Sequence, residues 1–398
     1  MGSGLPLLLW HLPPLQWRES SFFKFSFNYM KVESIKIHNF KRFKDLEISF
    51  KNNILDEVSD RYLILGDNGT GKTTLLQAIA LPLALATGRI RDVADFNWIG
   101  FLPGRHFRWG SPKIEMQILF EEEELKTTSK LAQKWYDAQP DEFKEMREFV
   151  EPGDSRRVRL LLNGDFWKAG DTPAERAQFR GRYYAQWFIN RRDQSVQPYF
   201  AKLPGVFWFD QFRNLGSHST PDSSRDNLHE SSSEASFDVG VGILRQYLID
   251  WHRNQESGIG DYSNSYLLQI ERLYKKVFPD RSFAGVEKLP SQNDPTGSET
   301  YFLLNDGYRT YDVEEMSAGE QSVFPLLYEF VRQQIAYSVV LIDEIDLNLH
   351  PPAAQYFVSQ LMKIEPTCQF IITTHSDSVS NIVGEGETYR LPGGTLCL

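Results

Sequence analysis

The spacing of apolar residues divides much of the chain into strands and helices. Residues 61–65, 337–342 and 370–375 are short, continuous apolar runs, which are typical of strands buried on both faces of a parallel sheet. Residues 113–120 alternate polar and apolar side chains, which predicts an antiparallel strand with one exposed face. Residues 74–81 have helical spacing and strong helix formers. The pattern as a whole predicts an α/β protein.

Later segments extend this pattern. Residues 205–213 are typical of a buried strand followed by a polar turn. Residues 239–278 have helical spacing, with a break at 258–260. Residues 283–311 return to strands, with a hairpin turn at 305–307. The chain has no heptad run, so we expect no long coiled coil.

Three polar segments lie between or beside these elements. The acidic run 121–124 is expected to extend the strand before it and to be solvated. The serine-rich segment 217–236 is expected to form a mobile loop or a disordered insert. Residues 176–192 interleave arginines with aromatic residues, which favours an amphipathic helix with its rings in the core and its arginines in water. The alternative, that the arginines bind phosphates while the rings stack on bases or fill a partner pocket, stays open.

Composition narrows the range of functions. The net charge is −10 and the isoelectric point is near 5.4, which argues against a protein that coats nucleic acid but leaves room for a local basic patch. Cys368 and Cys397 lack metal-ligand spacing, which suits the reducing cytoplasm. No apolar run approaches the roughly 20 residues that span a membrane.

Residues 1–29 resemble no signal peptide. We expect them to be a leader before a natural start at Met30, and an N-terminal interaction segment is the alternative.

Residues 66–73 have the spacing of a P-loop: a glycine, four further residues, and then Gly-Lys-Thr. A strand precedes this loop and a helix follows it, so the backbone N–H groups face a phosphate. Lys72 is expected to pair with the β- and γ-phosphates of ATP, and the Thr73 hydroxyl to bind Mg²⁺. The spacing and both flanks favour this interpretation over a simple glycine-rich turn. The residues predicted to bind the nucleotide here are Gly66, Asn68, Gly69, Gly71, Lys72, Thr73 and Thr74.

Polar residues follow the later apolar strands. Asp343 and Glu344 follow 337–342, in the arrangement of a Walker B pair: one carboxylate for Mg²⁺ and one to orient or deprotonate the attacking water. A solvated acidic strand end is the alternative. His375 ends the strand 370–375 and is a candidate contact of the γ-phosphate. Ser317 is a predicted helix N-cap, with Glu320 three residues later as in a capping box.

Four stretches, in this order along the chain, resemble the ABC-type ATPases of the RecF, Rad50 and overcoming-lysogenisation-defect class. Residues 31–43 are similar to the first strand and basic turn of that class, and residues 317–321 (Ser-Ala-Gly-Glu-Gln) to its signature motif. Residues 343–351 resemble its Walker B segment and D-loop, and residues 372–376 its switch histidine. The resemblance covers about half of the chain.

This resemblance implies a P-loop ABC-ATPase head with an inserted, mostly helical lobe. It implies ATP and Mg²⁺ as ligands, with Glu344, His375 and Lys72 as catalytic residues and Thr73, Asp343 and Gln211 at the metal. Gln211 would be the Q-loop residue, and Gln117 is the alternative.

Lys41 and Arg42 are candidates to reach the nucleotide, and Ser317, Gly319 and Gln321 would close over ATP held by a second subunit. A homodimer or a higher homo-oligomer is therefore expected.

The chain is therefore expected to have six parts. These are a leader (1–29), the first part of the head (30–122), an inserted lobe (123–204), a head strand with the Q-loop (205–215), a loop and helical lobe (216–282) and the last part of the head (283–398).

Three functions compete. The favoured one is a stand-alone ATPase of anti-phage defence, like those of the PARIS, Septu and retron systems, which would control a separate nuclease or toxin. A non-hydrolysing scaffold is a variant of it. The second is a RecF-like repair ATPase that binds DNA. The third and least favoured is the nucleotide-binding subunit of a transporter. Since few residues follow His375, no fused TOPRIM nuclease is expected, and any nuclease would be a separate chain.

Overall fold

The computed structural model describes residues 29–52, 54–108, 110–211, 236–257, 265–290 and 298–393. Residues 217–235 of the serine-rich segment and the helix break at 258–260 lie outside these ranges. The strands are β1 (Lys31–Phe40), β2 (Phe43–Ser49), β3 (Arg61–Leu65), β4 (Lys113–Leu119), β5 (Arg157–Asn163), β6 (Phe166–Ala169), β7 (Gly205–Phe209), β8 (Ser282–Pro290), β9 (Ser298–Asn305), β10 (Thr310–Asp312), β11 (Ser338–Ile342), β12 (Cys368–Thr374) and β13 (Thr388–Arg390). The helices are α1 (Lys72–Thr87), α2 (Glu122–Asp137), α3 (Asp141–Met146), α4 (Pro173–Gln178), α5 (Gly181–Ile189), α6 (Ser236–Glu256), α7 (Tyr266–Val277), α8 (Ala318–Arg332), α9 (Pro351–Ile364) and α10 (Asp377–Ser380).

A parallel sheet with the strand order β13-β3-β12-β11-β7 forms the centre of the fold. Every residue of β7, β11 and β12 is buried, which explains their continuous apolar sequences. Alternate side chains of these strands enter two different cores. On one face α1 packs between this sheet and an antiparallel sheet of order β2-β1-β4-β5-β6. On the other face lie α7, α8 and α9, with a three-stranded sheet of order β10-β9-β8 beside them.

These elements form the α/β head that the sequence predicted, and the described residues contain no long coiled coil. The predicted inserted lobe, 123–204, contributes β5 and β6 to the antiparallel sheet, while α2, α5 and the 3-10 segment after α5 form a small separate core. The division of the chain into lobes stays a prediction. Tyr29, the last residue of the predicted leader, is buried, and its hydroxyl donates to Asp60 Oδ1 at 2.7 Å. Within the described ranges, no helix has the length and apolarity needed to cross a membrane.

The structure corrects the prediction for the acidic run. Residues 122–124 open α2 instead of extending β4, and Glu124 is completely buried instead of solvated. Its carboxylate accepts hydrogen bonds from the backbone N–H groups of Glu121 at 2.7 Å and Met30 at 3.0 Å. Burial raises the pKa of Glu124 well above its usual value, and the two backbone bonds only partly oppose this effect.

The arginine–aromatic segment also differs in part from the prediction. It forms two helices, α4 and α5, instead of one, and Phe179, Tyr184 and Phe188 are buried as expected. Arg182, however, does not point into water. Its guanidinium donates to the backbone carbonyls of Phe200, Leu203, Gln333, Gln334 and Ala336 at 2.9–3.2 Å. Arg182 thus joins α5 to the connection between α8 and β11.

Candidate nucleotide-binding site

The predicted site residues follow strands that are neighbours in the parallel sheet. Since β3, β12, β11 and β7 run in the same direction, the segments after them meet at one edge of the sheet. These segments are the phosphate loop (residues 66–73), His375, the pair Asp343–Glu344, and Gln211. Ligands of open α/β sheets bind at this carboxyl edge.

The phosphate loop has the backbone that its glycines predict. Gly69 and Gly71 have φ values of 78° and 107°, in the left-handed region that favours glycine. A Cβ atom at Gly71 would also lie 2.6 Å from Cδ of Arg42, so only glycine fits there. The loop leads into α1, whose first-turn N–H groups are the donors expected at a phosphate site.

Lys72 is turned into the phosphate loop. Its Nζ atom donates to the carbonyl oxygens of Gly66 at 2.8 Å and Asp67 at 3.2 Å. Burial lowers the pKa of Lys72, while the nearby carboxylates of Glu344 and Asp343 act to raise it. The ammonium group thus lies within electrostatic reach of both Walker B carboxylates, which is compatible with its predicted pairing with the terminal phosphates.

Asp343 connects the phosphate loop to the sheet. Its Oδ2 accepts a hydrogen bond from Thr73 Oγ1 at 2.6 Å, and its Oδ1 accepts one from Thr373 Oγ1 at 2.6 Å. Mg²⁺ in nucleotide sites takes one or two protein oxygens and completes its shell with phosphate and water. The adjoining hydroxyl of Thr73 and carboxylate of Asp343 fit this requirement.

Glu344 has an unusual backbone conformation. Its φ is 45°, in the left-handed region that non-glycine residues rarely occupy, as strained functional residues often do. Its N–H donates to Thr373 Oγ1 at 2.8 Å, and the next N–H, of Ile345, donates to the carbonyl of Thr373 at 3.0 Å. Thr373 therefore holds both Walker B residues.

Sequence reasoning did not assign Thr373 or Thr374 to the site. Thr374 Oγ1 donates to Asp346 Oδ1 at 2.7 Å, which fixes the segment after the Walker B pair. Both threonines end the apolar strand β12, beside the strand that carries Asp343. The available signal was a pair of hydroxyls at the end of a fully buried strand.

His375 and Gln211 lie at the same edge. His375 is exposed and directly follows β12, between the strands that lead to the phosphate loop and to Asp343. Gln211 lies two residues beyond β7, whose Phe209 carbonyl accepts the N–H of Asp343 at 2.9 Å. The alternative Q-loop residue, Gln117, lies inside β4 of the antiparallel sheet. This placement favours Gln211 as the Q-loop residue. The catalytic role of His375 and the metal contact of Gln211 stay predictions.

A basic cavity of about 760 Å³ adjoins the phosphate loop. Lys41, Arg42 and Thr74 line it on the side of the loop, and Lys41 also donates to Gln77 Oε1 at 2.7 Å and to the Gly100 carbonyl at 2.8 Å. Burial lowers the pKa of Lys41. The lining also includes residues to which the sequence had assigned no role: Gly100, Phe101, Leu102, Arg105, His106 and Arg108. Thr74 is on the first turn of α1, so the cavity lies directly beside the phosphate loop.

The signature turn (residues 317–321) begins α8 with the predicted capping box. The N–H of Glu320 donates to Ser317 Oγ at 3.3 Å, and the N–H of Ser317 donates to Glu320 Oε2 at 2.9 Å. Ser317 and Ala318 are exposed. A Cβ atom at Gly319 would lie 3.3 Å from Leu349 Cδ2, so the turn packs on the segment after the Walker B pair. The N–H of Gln321 donates to the Ser317 carbonyl at 2.9 Å, within the helix.

Three features define a P-loop ATPase of the ABC type. A phosphate loop joins a parallel strand to a helix, an Asp–Glu pair with a buried aspartate follows the strand two places away in the sheet, and the signature turn is exposed. A family described as "AAA domain, putative AbiEii toxin, Type IV TA system" matches residues 61–381, and the chain belongs to this family. The chain is thus an ATP-binding enzyme that hydrolyses ATP to ADP and phosphate.

Similar proteins include two from bacteria. The "Retron Vc95 probable ATPase" of Vibrio cholerae serotype O1 biovar El Tor is 20% identical, over 89% of this chain and 72% of that protein. The "Septu protein PtuA" of Bacillus mycoides is 24% identical, over 87% of this chain but only 38% of that protein. Among solved structures, an "SMC head domain from Thermotoga maritima" is 16% identical with a TM-score of 0.40, over 88% of this chain and 92% of that one.

Proposed function

We propose that this ATPase assembles through shared nucleotide sites and that its ATP cycle controls a separate effector protein, a nuclease or toxin, in defence against phage. The observation that carries the enzymatic part is the convergence of Lys72, Thr73 and Asp343 at one sheet edge. The resemblance to proteins named for the retron and Septu systems supports the defence role.

The chain's own residues account for most of the chemistry. The amides of the phosphate loop and Lys72 bind the phosphates and stabilise the charge that develops on transfer. Mg²⁺, held by Thr73 and Asp343, supplies further charge neutralisation when bound. Glu344 orients the attacking water and accepts its proton. His375 and Gln211 contact the γ-phosphate side of the site.

The signature turn supplies the second half of each site from another copy of the chain. Ser317, Gly319 and Gln321 lie at the N-terminus of the 15-residue helix α8, and the positive end of a helix attracts anions. Two copies related by a two-fold axis would each place this turn on the partner's γ-phosphate. ATP would then hold the subunits together, and hydrolysis would release them and the effector.

Direct DNA binding, as in the RecF-like alternative, has weaker support. The arginine–aromatic segment was its main candidate surface. Arg182 of that segment is bound to backbone carbonyls, and Arg176 and Arg191 lie on the rings of Trp167 and Trp187 at 4.6 and 3.6 Å. The net charge of −10 also disfavours general binding to DNA.

The decisive experiment measures the mass in solution of Glu344→Gln with Mg-ATP. We expect this variant to bind ATP, to hydrolyse it at least about a hundredfold more slowly, and to accumulate as a dimer or larger assembly. Glu145→Gln, an exposed position on α3, is the matched control and should behave as the wild type. A Glu344→Gln protein that stays monomeric with Mg-ATP would contradict the shared site. Co-expression with neighbouring genes then tests the effector, whose mass should appear in the assembly.

A further inference from the structure

The signature turn is connected to elements outside the parallel sheet through the carboxylate of Glu320. Glu320 is only 3% exposed, although it lies in the turn beside the exposed Ser317. Its Oε1 accepts hydrogen bonds from the hydroxyls of Tyr274 and Tyr311, and from Arg281 Nε at 3.1 Å. Its Oε2 accepts the hydroxyl of Ser317 at 2.7 Å. One buried carboxylate therefore joins the serine of the signature to three donors outside α8.

The three donors come from three places in the chain. Tyr274 is on α7, Arg281 is in the turn between α7 and β8, and Tyr311 is on β10. A simple capping box needs none of them, because Ser317 and Glu320 satisfy each other. Burial alone would raise the pKa of Glu320, but the hydrogen bonds from Tyr274, Tyr311 and Ser317 outweigh it and lower that pKa. The carboxylate stays ionised, which makes these hydrogen bonds stronger than neutral ones.

Helix α7 also reaches the other end of α8. The hydroxyl of Tyr266, at the start of α7, accepts hydrogen bonds from Gln334 Nε2 at 3.3 Å and from Gln197 Nε2 at 2.6 Å. Gln334 follows the C-terminus of α8, and Gln197 belongs to the 3-10 segment after α5. Helix α7 is thus hydrogen-bonded beside both ends of the signature helix.

We propose that Tyr274, Tyr311 and Arg281 are positioning residues that hold Glu320, and through it Ser317, in the orientation that completes the ATP site of a second subunit. This proposal rests on the shared site proposed above. The carboxylate fixes the side chain of Ser317 through the 2.7 Å bond, and the three donors fix the carboxylate. A change in the position of α7 or of the three-stranded sheet would then alter the ATP site that Ser317 completes in the partner subunit. The phosphate loop of the chain that contains this α7 would not be affected.

The test uses Tyr274→Phe and Tyr311→Phe in one chain, since phenylalanine retains the packing of Tyr274 on Phe324, where the ring centroids are 5.1 Å apart. We expect ATP turnover to fall by about tenfold or more, because two donors of the positioned carboxylate are lost. Binding of a fluorescent ATP analogue to the monomer should change less than about twofold, since the phosphate loop is unaltered. Tyr308→Phe, at a tyrosine that is 99% exposed, is the matched control and should retain wild-type turnover.

Mixing two defective proteins distinguishes an effect in trans from a general defect. The double phenylalanine variant has an intact phosphate loop, and Lys72→Ala has an intact signature turn. An equal mixture should recover about a quarter of the wild-type turnover, since half of the dimers are mixed and each carries one complete site. Either wild-type turnover of the double variant or no recovery in the mixture would overturn the proposal.

A parallel mixture separates this proposal from the one on which it rests. Ser317→Ala mixed with Lys72→Ala should also recover activity if the sites are shared between subunits. If this mixture fails, the shared site itself is wrong. If it succeeds while the phenylalanine mixture fails, only the positioning role is wrong. Thermal unfolding of each variant verifies that it folds.

Discussion

The hydroxyl of Thr373 donates a hydrogen bond to the carboxylate of Asp343, with 2.6 Å between the oxygens. The same hydroxyl accepts the N–H of Glu344 at 2.8 Å. One buried side chain on β12 thus orients both acidic residues that follow β11. The Walker B pair that the sequence identifies is therefore oriented by a neighbouring strand.

Replacing Thr373 tests this arrangement. Thr373→Val keeps the shape but leaves the Glu344 N–H without its acceptor and removes a donor to Asp343. We expect the free energy of unfolding to fall by about 1–3 kcal/mol. We also expect turnover to fall by roughly ten- to a hundredfold, because the carboxylates lose their alignment. Thr373→Ser, which keeps the hydroxyl, should retain most of the activity, and equal losses in both variants would contradict the prediction.

The left-handed backbone of Glu344 predicts that this position lowers the free energy of unfolding when the residue is not glycine. A left-handed backbone costs a residue other than glycine about 1–2 kcal/mol, and Glu344→Gly removes this cost. Part of the gain is lost, because glycine also increases the conformational entropy of the unfolded chain. Relative to Glu344→Gln, which loses the carboxylate but keeps the strain, we expect the free energy of unfolding to rise by about 0.5–1 kcal/mol. Urea denaturation measures the difference. A glycine variant less stable than the glutamine variant would show that the conformation is not strained.

We expect Arg182 to stabilise the fold through the hydrogen bonds of its guanidinium group and not through its positive charge alone. Arg182→Lys retains the charge but cannot reach the five carbonyls that the guanidinium binds, so we expect a loss of about 3 kcal/mol in the free energy of unfolding. Arg191→Lys, at an exposed arginine stacked on Trp187, is the matched control and should lose no more than about 1 kcal/mol. Similar losses at the two positions would argue against a special role for Arg182.

Glu320 predicts a loss of stability in acid. Its pKa in the folded protein lies below the ordinary value of 4.5, so its ionised form stabilises the fold above the pKa of the unfolded chain. This stabilisation is lost as the pH falls through the folded pKa, where the carboxylate becomes protonated. The stability difference between the wild type and Glu320→Gln should therefore be largest near pH 7 and shrink below the ordinary pKa of 4.5. A difference that stays constant from pH 7 to pH 3 would contradict this.

The sequence by itself determined the chemistry and most of the elements of this protein. The phosphate loop, Asp343–Glu344 and the capping box at Ser317 depend on residue types at short, fixed spacings, and such local patterns can be read along a chain. The hairpin turn after β9 and the fully buried strands were predicted for the same reason. A resemblance to known ATPases supplied the order in which these parts combine.

Only the tertiary structure decided how distant residues act on one another. The sequence placed Glu124 and Arg182 in water because a charged residue is usually solvated, but contacts with Met30 and with Gln334 override that rule. It left Thr373 and Tyr274 without a role, because their partners lie 30 and 46 residues away. Such hydrogen bonds depend on which strands and helices become neighbours, and no short spacing in the chain records this.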